Sequence, residues 1–259
     1  MKNNTETIID IEKLVKLYSK NIYNLAYRIT GDRHDAEDAM QNTFLQIHQN
    51  LNKFRGESKL FTWIYRIALN ESLKIKKKVV LDKKHFESVD ADIEQFKNNI
   101  PSEIKQLQTD PEKEFIYKAL MQEIKEGCHH FMLFRITEEQ RIVFIFRILL
   151  GFTFKEISAI LNISVNIIKS RFNRAKENLK RHVKDRCQWY NNKSSCTCEK
   201  CIGFALKMTP ELVNIISEAA NNSEYYKMAA TSIKQNDDIE TIFKKLPNLE
   251  YKTYPLKKL

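Results

Sequence analysis

Three helix starts follow one another closely in residues 136–186 and restrict this part of the chain to a small helical domain. Thr137 and Thr153 each stand three residues before a Gln or Glu, which is the spacing of a capping box, and Ser164 is a good N-cap for a third helix. The predicted helices span residues 138–150, 154–161 and 165–184. Only the turn Asn162–Ile163 separates the last two, so they predict a helix-turn-helix.

The third predicted helix is strongly basic and has one apolar seam. The seam repeats at helical spacing and consists of Ile168, Phe172, Ala175 and Leu179. The opposite face then carries Asn166, Lys169, Ser170 and Arg174. Side chains of these types contact base edges and phosphates in a major groove, so this face is a candidate DNA-binding surface. The alternative is an ordinary solvated helix face.

The composition agrees with a helical protein that meets a polyanion. Of 259 residues only 5 are Gly and 5 are Pro, which favours helices over a turn-rich sheet. The formal net charge of +10 suits nucleic acid, although basic proteins also bind acidic membranes. Residues 1–10 do not read as a signal peptide and no long apolar run occurs, so we expect a cytoplasmic protein. We expect no enzyme, because the sequence offers no nucleophile–base pair, Gly-rich phosphate loop or paired catalytic carboxylates.

Residues 7–82 predict a separate three-helix bundle. Apolar residues recur at helical spacing in three stretches, with breaks at Gly31 and before Ser58. The exposed face of the second helix is acidic and carries Asp35, Asp38 and Gln41. Because such a face repels DNA, it suits a protein partner. A solvated acidic helix start is the alternative.

The third helix of this bundle, with the residues before it, mixes aromatic and cationic side chains. Aromatic rings beside cations can stack on unpaired bases. The candidates for this role are Phe54, Arg55, Ser58, Phe61 and Tyr65. We assign Trp63 to the core, since it falls on the apolar stripe. We expect the loop Arg55–Ser58, opened by Gly56, to hold a base flipped out of the duplex.

Residues 83–135 predict a flexible acidic linker between the bundle and the helix-turn-helix domain of residues 136–186. Acids outnumber lysines in this segment, and Pro101 and Pro111 interrupt any long helix. We expect the linker to pass into one helix around Glu112–Glu126.

Residues 187–259 form a cysteine-rich segment and a polar tail. Cys187, Cys196, Cys198 and Cys201 could bind zinc through four thiolates, although the Cys-x-Cys step differs from zinc-ribbon spacing. A redox switch and plain reduced thiols are the alternatives. The run Cys128-His129-His130 could add a ligand, but we expect a loop with incidental histidines.

Three segments, in this order, resemble the sigma-70 family of transcription initiation factors. DAEDAMQNTFL at residues 35–45 resembles the segment that binds core RNA polymerase, and FTWIYRIALN at residues 61–70 resembles the promoter-melting segment. Residues 151–161, followed by SVNIIKSRFNRAK at residues 164–176, resemble the helix-turn-helix that reads the −35 element. Two conserved regions joined by a short linker are typical of the extracytoplasmic-function (ECF) group.

The resemblance implies an all-α fold: a sigma region 2 bundle and a sigma region 4 helix-turn-helix on a flexible acidic linker, with a cysteine-rich appendage. It implies binding of core RNA polymerase and promoter DNA, help with promoter melting, and the linker threading toward the RNA exit path. It also admits an anti-sigma factor as a partner. The implied polymerase contacts are Asp38 and Gln41. The implied −10 contacts are residues 54–61 with Asn70, and the implied −35 contacts are Lys169, Ser170, Arg171 and Arg174.

One departure and two rival functions complete the prediction. The usual Thr-Val before Lys-Ser-Arg is Ile167-Ile168 here, so the −35 preference is expected to differ from that of relatives. The first rival is a helix-turn-helix regulator that binds only duplex sites, which would have no use for a strand-opening surface. The second is a metal or redox sensor whose output is DNA binding, which zinc content and oxidation would reveal.

Overall fold

The structure, a computed structural model, describes residues 10–75, 100–111, 114–187, 196–208 and 238–244, with isolated positions 91, 94, 95 and 98. These residues are mainly helical, and their recorded β contact is an isolated bridge between Cys187 and Cys196. The helices are α1 Ile11–Thr30, α2 Arg33–Asn50, α3 Leu60–Ile75, α4 Ser102–Thr109, α5 Glu114–Leu133, α6 Glu138–Phe144, α7 Phe154–Leu161, α8 Val165–Arg186, α9 Lys200–Met208 and α10 Ile239–Lys244. Among these described helices none is both long enough and apolar enough to cross a membrane.

The chain divides into two compact units. Unit 1 consists of Met1–Val79, Ile142–Phe172 and Asn248–Leu259, and unit 2 of Val80–Arg141 and Asn173–Pro247. Unit 1 therefore contains both the predicted bundle and the core of the predicted helix-turn-helix.

Helices α1, α2 and α3 form the predicted three-helix bundle of unit 1. Asp10 and Asp32 cap the first two helices, their side chains accepting from the N–H groups of Glu12 and Asp35. Gly31 ends α1 at φ +81°, a backbone conformation that glycine adopts without strain. The core contains the predicted apolar stripes, with fully buried Ile22, Leu25, Ile29, Ala36, Ile47 and Ile64.

The helix-turn-helix is formed by α7 and α8, as the caps predicted. Thr153 and Glu156 make both hydrogen bonds of a capping box, and Asn162 leaves α7 in the left-handed conformation at φ +54°. The helix before them differs from the prediction in one detail. The predicted helix 138–150 is α-helical only over α6. It continues as a π-helical turn, Ile145–Leu149, which has a wider backbone spiral and ends shortly before Gly151.

Unit 2 has a small core of its own between α4, α5 and α9. Its buried residues are Ile104, Ala119, Leu120, Ile124, Cys201 and Ile202. Where one helix was predicted around Glu112–Glu126, the described part of the linker segment contains α4 as well, and α5 continues to Leu133. The tail contributes α10, whose Phe243 is fully buried and packs edge-on against the ring of His129.

Candidate nucleic-acid interface

Helix α8 separates its apolar seam from its polar face as the sequence predicted. Ile168, Ala175 and Leu179 are completely buried, and Phe172 nearly so. The predicted DNA-binding residues Asn166, Lys169, Ser170 and Arg174 are exposed on the other side, whereas Arg171 is half-buried. Ile167, the departure from the family pattern, is 46% exposed next to this face. Four polar side chains and one apolar side chain are thus available to a groove.

The turn that sets the angle of α8 is held by local bonds and by aromatic packing. The Ser158 hydroxyl donates to the Ile163 carbonyl at 2.6 Å, and the Ser164 hydroxyl accepts from the N–H of Ile167 at 3.4 Å. Within unit 1, the ring of Phe172 contacts those of Phe144 and Phe154, with centroids 6.1 and 5.5 Å apart. The start of α8 is therefore fixed on two sides, as a groove-reading helix requires.

The loop before α3 has the open form expected of a base-binding loop. Arg55 is exposed, Ser58 is half-buried, and Gly56 lies at φ +71° with no atom within 4 Å of the position a Cβ would take. Asn70, near the other end of the region, is also exposed. Phe54 is half-buried, and its ring packs on that of Trp63 with centroids 5.3 Å apart.

The sequence predicted Trp63 in the core and Tyr65 at the surface, and the structure shows Tyr65 as the more deeply buried of the two. Trp63 is half-buried, whereas Tyr65 is only 2% exposed and belongs to the core. The Tyr65 ring contacts Tyr18, Phe146 and Phe152 edge-on, and burial raises the pKa of its hydroxyl to about 12. The prediction that Tyr65 presents its ring to bases is wrong for this arrangement, because the ring is buried against three other rings of unit 1.

Phe61 is partly packed and partly exposed. It is half-buried, its ring lies 5.8 Å from that of Phe152, and the Lys59 ammonium lies 5.9 Å from its centroid. The predicted pairing of an aromatic ring with a cation is therefore present at this residue.

Arg66 has a role that the sequence did not reveal. Its Nε donates to the Ile160 carbonyl at 3.1 Å and its Nη2 to the Ala159 carbonyl at 2.6 Å. These carbonyls end α7, so the guanidinium caps that helix at the negative end of its dipole. The sequence could not predict that Arg66 caps α7, because the carbonyls that it contacts lie more than ninety residues away along the chain.

The predicted polymerase-binding surface lies on α2. Asp38 and Gln41 are exposed, while Asp35 is half-buried in the first turn of the helix. The opposite side of α2 is in the bundle core through Ala39, Met40 and Phe44. Asp38 and Gln41 are therefore available to a protein partner.

In unit 2 the cysteines form a second candidate site. Cys187, Cys196, Cys198 and Cys201 line one cavity of about 80 Å³, and Cys128 lines it too. The run Cys128-His129-His130 lies in helix α5, not in the expected loop. The His129 Nδ1 lies 2.6 Å from the Lys125 carbonyl, and burial lowers the pKa of its ring to about 4. Among the described residues, no three His, Cys, Asp or Glu side chains are arranged as a formed metal site.

Comparison with known proteins agrees with these two regions. Residues 14–78 match the model of Sigma-70 region 2, and residues 132–179 match that of Sigma-70, region 4. ECF RNA polymerase sigma factor SigW of Bacillus subtilis (strain 168) is 29% identical over 66% of this chain and 88% of its own length. The ECF RNA polymerase sigma-E factor of Haemophilus influenzae is 26% identical over 66% of this chain and 85% of its own length. The solved structure of CnrH in complex with the cytosolic domain of CnrY aligns at 16% identity and a TM-score of 0.47, over 67% of this chain and 87% of that one.

A region 2 bundle followed by a region 4 helix-turn-helix defines a transcription initiation factor of the sigma-70 type. Sigma factors of this type recognise promoters and begin transcription with core RNA polymerase; they are not catalytic enzymes in themselves. This chain belongs to the ECF group of the sigma-70 family, as the resemblance in the sequence implied.

Proposed function

We propose that the exposed face of α8 reads the −35 element as closed duplex. One observation supports this assignment: the two faces of α8 differ sharply in exposure. The apolar seam is buried, whereas the opposite face exposes four polar residues, Asn166, Lys169, Ser170 and Arg174. The start of the helix is also held in place by the packing described above. Lys and Arg at such positions form hydrogen bonds with phosphates or with the edge of guanine, and Ser and Asn form hydrogen bonds with other base edges. The exposed Ile167 is suited to contact a thymine methyl group, which would give this factor its own −35 preference.

The −10 element would be held by the loop at residues 54–59 together with Phe61. Support comes from the exposed Arg55, the open space at Gly56 and the half-buried ring of Phe61 beside Lys59. Phe61 and Tyr65 both contact Phe152. Full access of a base to the Phe61 ring would therefore require α3 to part from Phe152, and we propose that this occurs when core polymerase and promoter are bound.

Core polymerase would bind α2 through Asp38 and Gln41, whose exposure supports the assignment. We further propose that the factor acts in the cytoplasm, where its polymerase and promoters are found. The acidic linker segment would thread toward the RNA exit path, where its charge imitates that of nucleic acid, once α4 and α5 leave the small core of unit 2. An anti-sigma factor stays a predicted partner.

The −35 assignment is tested by promoter binding of polymerase holoenzyme at several salt concentrations. Lys169→Ala with Arg174→Ala should weaken binding and reduce the slope of log K against log salt by about 0.9 for each phosphate that is no longer neutralised. Lys184→Ala is the matched control, because Lys184 is exposed on the same helix about three turns beyond Arg174. If the control variant loses as much affinity and slope as the double variant, α8 contributes only general charge and the assignment is wrong.

A further inference from the structure

We propose that helix α10, near the C-terminal end of the chain, restrains promoter binding by competing with DNA phosphates for Lys176 of α8. This inference rests on the proposed function of α8 and adds a regulatory contact to it. Helix α10 lies outside both segments that match the sigma-70 family, residues 14–78 and 132–179. The competing group therefore comes from a part of the chain beyond the two family regions.

Helix α10 is anchored in unit 2 by an apolar face. Ile239 and Phe243, four residues apart, are buried, and Phe243 is completely so. The Phe243 ring packs edge-on against that of the buried His129 on α5, with centroids 5.7 Å apart. Asp238 caps the helix, because its carboxylate accepts from the N–H and from the hydroxyl of Thr241, both at 3.0 Å. The position of α10 is thus fixed by packing and capping as well as by charge.

The anchored helix brings a carboxylate to α8. The Lys176 ammonium donates to the Glu240 carboxylate at 2.8 Å, and each of the two side chains is 31% exposed. The two residues are 64 positions apart in sequence, so this ion pair is a tertiary contact. Glu240 directly follows the buried Ile239, and the packing of α10 therefore sets its position opposite Lys176.

Lys176 belongs to a polar row along α8 that begins in the predicted DNA-binding face. Four residues follow one another at i, i+4, i+7 and i+11 and so lie on one side of the helix: Lys169, Asn173, Lys176 and Lys180. The other three are exposed, whereas Lys176 is half-buried. Cations in a row beside the base-reading face are in position to contact the phosphate backbone. Lys176 is thus a candidate phosphate contact whose charge is already offset by Glu240.

A DNA phosphate and the Glu240 carboxylate would use the same ammonium group. DNA binding must then replace the ion pair, and the free energy of the pair is subtracted from that of promoter binding. A partly exposed ion pair is weak in water, equivalent to a factor of up to about five in an equilibrium constant. Helix α10 therefore adjusts promoter affinity and does not block binding.

The test measures promoter binding of holoenzyme, formed with the full-length chain, at a series of salt concentrations. Glu240→Gln keeps the shape of the side chain and removes its charge. It should raise the affinity by up to about fivefold and steepen the slope of log K against log salt by about 0.9, the contribution of one more neutralised phosphate. The matched control is Glu114→Gln, which also frees a lysine from an ion pair, that with Lys118 of α5 at 2.9 Å. This control should change neither quantity.

A second background isolates the contact with α8. Glu240 also lies 3.9 Å from Lys244 of its own helix, and its substitution affects that cation too. If Lys176 is the competed group, Glu240→Gln should change neither affinity nor slope in Lys176→Ala protein. The proposal is overturned by a gain that persists in this background or by an equal gain from Glu114→Gln. Wild-type or weaker promoter binding by Glu240→Gln in the otherwise wild-type chain also overturns it.

A parallel measurement separates these failures from a failure of the α8 assignment. Lys169→Ala with Arg174→Ala should lose affinity whether or not α10 competes with DNA. If this double variant binds promoter as the wild type does, the assignment of α8 is wrong and the role of α10 falls with it. If the double variant binds weakly while Glu240→Gln behaves as the wild type, only the role of α10 is wrong.

Discussion

Tyr65 and Phe152 pack edge to face in unit 1, with ring centroids 4.8 Å apart and planes at 84°. Phe152 lies between the π-helical turn and α7, and it also contacts Phe61. One phenylalanine of the region 4 segment thus covers two aromatic rings of the region 2 segment. Any use of the Phe61 ring in promoter melting competes with this packing.

Removal of the Phe152 ring should make α3 more accessible to single-stranded DNA. We expect Phe152→Ala to raise the affinity of the isolated factor for a single-stranded −10 oligonucleotide, measured by fluorescence anisotropy. Phe154→Ala is the control, because Phe154 packs on Phe172 inside the helix-turn-helix. Phe61→Ala should lower the affinity by about 1–3 kcal/mol, the usual cost of removing one ring that stacks on a base. Equal affinities of wild type and Phe152→Ala would show that this ring does not restrict access.

Tyr65 should act mainly on stability. Tyr65→Ala removes a ring that is buried among three others, and we expect a loss of about 3–5 kcal/mol in the free energy of unfolding. Tyr65→Phe keeps the ring and removes only the hydroxyl, which is hydrogen-bonded to Asn21, so it should cost about 0.5–1.5 kcal/mol. Urea unfolding followed by circular dichroism measures both. Wild-type stability of Tyr65→Ala would contradict the core position.

The α2 surface predicts a selective loss of polymerase binding. Asp38→Arg combined with Gln41→Ala should abolish co-purification with core enzyme and leave the unfolding curve unchanged, because both side chains are exposed. Glu12→Arg with Lys16→Ala, exposed on α1, is a suitable control and should bind core normally. Normal binding by the α2 variant would remove this surface from the interface.

The capping box of α7 predicts a pH-dependent contribution to stability. Hydrogen bonds from the Thr153 N–H and hydroxyl lower the pKa of the Glu156 carboxyl below its usual value. A carboxyl with a lowered pKa stabilises the folded state fully above its unfolded-state pKa, and this stabilisation is lost as the pH falls through the folded-state pKa. Thr153→Ala should therefore cost about 1 kcal/mol at neutral pH and less in the acidic range.

Thr137 provides the matched control for that experiment. Its hydroxyl accepts from the N–H of Gln140, whose side chain does not ionise, so the cost of Thr137→Ala should not follow the titration of a carboxyl. Urea unfolding at a series of acidic to neutral pH values checks both variants. A pH-independent cost for Thr153→Ala would show that the Glu156 carboxylate adds nothing to the cap.

The sequence by itself determined the features that depend on neighbours in the chain. The caps at Thr153 and Ser164, the turn at Asn162 and the seam of α8 were all predicted where the structure has them, because capping bonds and helical periodicity act over a few residues. The order of the motifs then indicated the sigma-70 family, which the comparisons support. The exposure of Asp38 and Gln41 likewise followed from their positions relative to the apolar stripe of α2.

Only the tertiary structure decided which aromatic ring is core and which cysteines meet. Tyr65 is buried and Trp63 half-buried because the rings that cover Tyr65 come from α1 and from the segment that contains Phe146 and Phe152. Cys128 reaches the cysteine cavity because α5 and α9 share a core, a contact between distant segments that no local pattern encodes. Burial is settled by long-range packing, and the sequence pattern specifies only which side of each helix is available for it.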